Sequence, residues 1–134
     1  MSTAAEFIRG FHGTSPDRAH AILAEGFKLG VRKRRREEVH FATEQHPELA
    51  LGFAYNRTRE ELSVKGRVGN TIDDMELPII IVEVPLDATD IAGNKSTFTV
   101  DAEHIGLIVV KNVVHLPFEL SVEQVQESLL SSAK

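Results

Sequence analysis

The chain has 134 residues, 42% hydrophobic and 26% charged, with a formal net charge of −5; that length suits one domain around a single core, and the composition is that of an ordinary soluble protein. The absence of cysteine excludes a disulfide framework, a thiolate metal site and a cysteine nucleophile, and the negative balance argues against a surface built for non-specific nucleic-acid binding. The opening MSTAAEFIRG lacks the basic-then-apolar pattern of a secretory signal, and no apolar run approaches bilayer length; the expectation is a cytoplasmic protein with no membrane partner.

Phe7 to His12 reads as a short strand entering an HGT turn. Ser15 to Gly26 carries helix signals at both ends: Ser15 or Asp17 as N-cap, Pro16 in the first turn and Gly26 as C-cap. Ala19, Ile22 and Leu23 give that helix one apolar face. Phe27 to Arg36 contains glycine and the basic run RKRRR, and reads as a loop. Val39 to Ala42 is expected as a strand, Pro47 to about Glu61 as a second helix, and Ser63 to Leu77 as an irregular connection. Ile79 to Val84, bounded by Pro78 and Pro85, is the strongest β signal and long enough for a buried central strand. Thr97 to Val100 and Ile105 to Val114 read as further strands, and Ser121 to Leu130 as a helix with Ser121 and Gln124 spaced as a capping box. Strand, helix, strand, helix, then mainly strands is an α+β order.

Neither a GxGxxG nor a P-loop sequence is present, so the two commonest nucleotide-binding schemes are excluded on local chemistry. His12, His40 and His46 show no HxH or HxxxH spacing and lack clustered acidic partners, so no metal site is expected. Taken alone, His12 is either a ligand-binding side chain or the polar end of a strand. His40, between Val39 and Phe41, is either functional or a satisfied half-buried histidine, and RKRRR is either a local anion site or a solvated loop. Tyr55 suits core packing or exposure better than stacking on a ligand.

Two segments change the weighting when read together. FHGTS with a helix ending in EGF, followed by REEVHFAT and the helix ELALGFA, resembles the ADP-ribosyltransferase fold superfamily, over about residues 10 to 118. The resemblance implies two facing antiparallel sheets with flanking helices around an NAD cleft, in a single domain spanning residues 1–134. It implies that His12, Gly13 and Thr14 hold the nicotinamide-ribose half of NAD. The spacing Arg36-Glu37-Glu38-Val39-His40-Phe41 is similar to the R-x-x-V-H-L segment of RNA 2′-phosphotransferases, with Phe41 for the usual leucine. That implies catalytic roles for Arg36 and His40 and cofactor binding by Arg57, with Arg35 a further candidate for gripping phosphate.

The implied chemistry is coherent. A 2′-phosphate on RNA is itself the nucleophile that attacks the anomeric carbon of NAD as nicotinamide departs, and transesterification then releases a cyclic ADP-ribose phosphate. No general base is needed; arginines supply positioning and charge stabilisation. The winged-helix-like lobe that such phosphotransferases carry ahead of HGT is not expected here, since the sequence starts about ten residues before it. The chain differs from polymerases and toxins in placing Ser96 or Thr97 where those carry a glutamate, since Glu103 lies too far along and Glu83 is on another strand. The alternatives are a mono-ADP-ribosyltransferase modifying a protein or nucleic acid, and a module that binds NAD or ADP-ribose without turnover.

Overall fold

The computed structural model describes residues 6–27, 38–64, 66, 72, 75–90, 96–101 and 103–133. The expected RKRRR loop, with Arg35 and Arg36, lies outside them. Among the described residues the chain is α+β: strand β1 (Phe7–Gly13), helix α1 (Pro16–Glu25), β2 (Glu38–Ala42), α2 (Leu49–Val64), β3 (Glu76–Pro85), β4 (Thr97–Asp101), β5 (Val109–Pro117) and α3 (Val122–Ser132).

The five strands form one antiparallel sheet in the order β4-β2-β1-β3-β5. This corrects the expectation of two facing sheets. A strand has two hydrogen-bonding edges, and β1 uses one on β3 over its full length, from Phe7↔Pro85 to Gly13↔Ile79. Its other edge meets β2 at a single pair, Phe11↔Ala42. The sheet is therefore continuous but thin at one seam, which separates a two-stranded part (β4-β2) from a three-stranded part (β1-β3-β5).

Side-chain alternation gives the sheet two buried faces. Phe11, Ile79 and Ile81 point toward Ala50, Leu51 and Ala54 of α2 and Val125 and Leu129 of α3. Phe41, Ile80, Val82 and Phe98 point toward Ala19 and Ile22 of α1. The isoleucine run of β3 is buried on both faces, which is why it reads as uninterrupted hydrophobicity rather than alternation.

Local signals explain most element ends. Ser15 caps α1, its hydroxyl accepting from the Arg18 N–H at 3.3 Å. Gly26 at φ 85 closes the helix, its N–H donating to the Ile22 carbonyl at 2.7 Å. The capping box of α3 is present, with Ser121 and Gln124 exchanging hydrogen bonds. Two of the boundaries that differ from the sequence reading have a local cause. β3 includes both of its prolines, and Pro78 is tolerated because it lies beyond the last pair with β1. Residues Ile105–Leu107 form a 3-10 turn, so β5 begins only at Val109; Gly106 interrupts that apolar run.

Both sheet edges are blunted. Asp90 takes both backbone groups of Thr99 on β4, its carboxylate accepting from the N–H at 2.6 Å and its own N–H donating to the carbonyl. On β5 the register shifts opposite Ile81/Val82, and the Asn112 side chain accepts from the Val113 N–H while donating to Ser132 of α3.

The tightest approach in the fold is between β1 and α2. A Cβ on Gly13 would overlap the Ala50 carbonyl and lie 2.7 Å from the Ala54 nitrogen, whereas a Cβ on Gly52, on the same helix, meets nothing within 4 Å. Gly13→Ala is expected to destabilise by about 3 kcal/mol through overpacking, and Gly52→Ala to stabilise by roughly 0.5–1 kcal/mol through helix propensity. Urea denaturation of the two variants checks both signs.

Candidate functional site at the seam between β1 and β2

Continuing the antiparallel register past Phe11↔Ala42 would set Gly13 opposite His40, but the ladder has already ended there. The imidazole of His12 takes over: its Nδ1 lies 2.9 Å from the His40 carbonyl oxygen. A carbonyl only accepts, so Nδ1 carries the proton and Nε2 presents a lone pair. Among the described residues nothing hydrogen-bonds to Nε2.

Three phenyl rings build the surroundings. Phe27 and Phe41 contact the imidazole with centroids at 5.2 and 5.5 Å, and Phe27 meets Phe41 at 5.6 Å. Phe98 stacks on Phe41 at 5.2 Å. These rings need room on the sheet, and Gly10 provides it: a Cβ there would be 2.7 Å from the Phe98 ring and 3.0 Å from Phe41. The turn at Gly26 returns the chain from α1 so that Phe27 reaches His12.

His12 is only 5% exposed, and burial in this aromatic setting pushes its pKa down from 6.5 to about 4. The hydrogen bond to His40 acts in the opposite sense, while the positive charges of Arg57, Arg18 and His40 add to the depression. The ring is thus a neutral hydrogen-bond acceptor at physiological pH, in a cationic field supplied from both helices that flank the sheet.

The expected site residues fall into three groups. His12, His40 and Arg57 are brought together: the His40 carbonyl holds the His12 ring, its own side chain is exposed, and the Arg57 charge reaches His12 from α2. Gly13 and Thr14 adjoin His12 but are buried. Gly13 is pressed on α2, and among the described residues the Thr14 hydroxyl has no hydrogen-bond partner, as is also true of Thr58 on α2. A buried hydroxyl left this way costs about 1–3 kcal/mol. Arg36 lies outside the described residues. Tyr55 stacks on Phe118 at 4.1 Å and, half-buried, packs on the core, the first of the two placements expected for it, packing or exposure.

Arg18, Phe27 and Gly10 were not singled out by the sequence reading. The EGF ending and the basic residue one turn into α1 were the available signals for the first two; nothing local marked Gly10, whose constraint comes from rings on β2 and β4.

Compared with known proteins, the chain matches no protein-family model, no curated protein and no solved structure. Among the described residues no helix is long and apolar enough to cross a membrane.

The depressed pKa of His12 makes stability depend on pH. As pH falls below 6.5 the unfolded chain takes up a proton at this position that the folded chain refuses until about pH 4. The associated stability is fully present above pH 6.5 and is lost between there and pH 4, a difference of about 3 kcal/mol. His12→Gln removes that proton uptake, so the variant's stability is expected to fall less steeply with acidity than the wild type's over that window, as measured by chemical denaturation at successive pH values.

Proposed function

We propose that the chain binds NAD across the β1–β2 seam and transfers its ADP-ribosyl group, in an ADP-ribosyltransferase-like arrangement, to a phosphate-bearing acceptor. The observation that carries this reading is the state of His12: neutral, with Nδ1–H committed to the His40 carbonyl and Nε2 meeting no hydrogen-bond partner among the described residues. Such a nitrogen accepts from a sugar hydroxyl and offers nothing to an anion. The resemblance of FHGTS and REEVHFAT to the superfamily's NAD-binding segments supplies the identity of the sugar.

The charges around His12 favour an anionic nucleophile. Arg57 and Arg18 both act on the ring, and guanidinium groups hold phosphates well. In the proposed reaction an oxygen of an RNA 2′-phosphate attacks the anomeric carbon of the nicotinamide ribose. The carbon–nitrogen bond breaks and its electron pair leaves with neutral nicotinamide. The acceptor arrives already charged, so its activation requires no carboxylate, and Ser96 and Thr97 at the start of β4 are no obstacle. Arg57 contributes positioning and charge stabilisation; Arg36 and His40 are assigned the same work on the strength of the resemblance alone. Cationic surroundings are less suited to a mono-ADP-ribosyltransferase that must activate a neutral side chain.

Calorimetric titration with NAD is expected to give saturable binding that weakens at least tenfold in His12→Ala, a loss of about 1.4 kcal/mol or more. Incubation with NAD and a 2′-phosphorylated oligonucleotide is expected to release nicotinamide and dephosphorylate the RNA, with Arg57→Gln slower. No NAD binding by the folded wild type removes the proposal. Binding without any product leaves a recognition module, and a labelled macromolecule in place of dephosphorylated RNA selects the mono-transferase.

A further inference from the structure

His12 is 5% exposed, and an imidazole covered to that degree cannot receive a ribose unless part of its cover moves. Among the described residues the three rings around it are not held alike. Phe41 and Phe98 face each other in the β2–β4 ladder, stack at 5.2 Å and are 0% and 1% exposed. Moving either one would break strand pairing and open the close-packed core.

Phe27 is different. It lies outside any helix or strand, is half-buried, and among the described residues no hydrogen bond fixes its backbone. Its ring is kept over the site by packing, chiefly edge contacts with His12 and Phe41, and such contacts are individually weak. The residue before it can absorb a rotation. Gly26 sits at φ 85, and a Cβ there would meet nothing within 4 Å, so the chain turns in open space at a residue that adopts either sign of φ at little cost. The Gly26 N–H closes α1 on the Ile22 carbonyl, which leaves Phe27 as the first residue beyond the helix's hold.

We propose that Phe27 is a gate over His12, a ring that covers the imidazole when closed and, swung out about Gly26, admits a ligand to Nε2. The inference rests on the NAD-binding reading and deepens it, because it names the residue that controls entry to that site. Phe41 and Phe98 stay in place and keep one side of the imidazole dry in both states. Since only the open form takes up ligand, the closed ring lowers apparent affinity and association rate by the fraction of molecules that are open.

Diethyl pyrocarbonate, which acylates an accessible unprotonated imidazole nitrogen, reads the gate without NAD. At neutral pH the wild type is expected to react more slowly at His12 than at the exposed His20 and His115, as followed by mass spectrometry of the peptides. Phe27→Ala is expected to speed the reaction at His12 by about tenfold or more, with Phe27→Leu between the two and the reference histidines unchanged. A wild-type His12 as reactive as His20 overturns the proposal. So does a His12 that stays equally protected in whichever of the two variants keeps the wild-type circular dichroism. Stopped-flow mixing with NAD is expected to show faster association with Phe27→Ala than with the wild type, and an unchanged or slower association overturns the gate. Acceleration at His12 with no NAD binding to either protein upholds the gate for another ligand and removes the NAD reading, so the two failures are told apart.

Discussion

The hydrogen bond from His12 to the His40 carbonyl holds together what the backbone leaves nearly separate. One residue pair joins β1 to β2, and beyond it the imidazole bridges the gap. A backbone ladder there would have been self-sufficient and inert. A side-chain bridge is different, because it fixes a ring tautomer and leaves the second nitrogen available. The constraint that makes this possible lies on the opposite face, where Gly13 lets α2 sit on β1 at backbone distance. The strand is thereby anchored from one side while its neighbour on the other side parts from it.

The aromatic cluster sets the energetics of this bridge. Phe27, Phe41 and Phe98 remove water from the imidazole, which strengthens its hydrogen bond and suppresses its protonation at once. Arg57 and Arg18, both exposed, add a smaller electrostatic push in the same direction. Among the described residues the hydroxyls of Thr14 and Thr58 have no partner, so the buried polar groups on β1 and α2 are incompletely satisfied there. Among the described residues no donor reaches Nε2, which is the feature that the proposed hydroxyl-bearing, phosphate-bearing ligand would use. Under the proposed reading that ligand is NAD, with a 2′-phosphate as the acceptor.

Much of the fold was legible in the residues because the deciding forces were local. Ser15, Pro16 and Gly26 fixed α1, the Ser121–Gln124 box fixed the start of α3, and the isoleucine run could only be a central strand. What was not legible depended on pairing across long sequence separations. The two-sheet expectation came from resemblance, and nothing in the chain's own pattern specifies how many rungs join β1 to β2. The start of β5 was misplaced because Ile105 and Leu107 are apolar enough for a strand, and the 3-10 turn around Gly106 does not announce itself. At the site, His12 was visible through its HGT context, and His40 through its spacing from Arg36. The part His40 plays through its backbone carbonyl, rather than its ring, has no sequence signature at all. Gly10 and Phe27 are understood only once the rings on β2 and β4 are in place.

The central claim is that His12 is a neutral acceptor whose free nitrogen receives the sugar of NAD. Nitrogen-15 NMR of the histidine rings tests it most directly. The account predicts that Nδ1 of His12 is protonated and Nε2 bare at neutral pH, that this state persists on acidification toward pH 4, and that saturating NAD shifts Nε2 while leaving Nδ1 on the His40 carbonyl. A proton on Nε2 in the free protein, or an Nε2 resonance unmoved by saturating NAD, would contradict it.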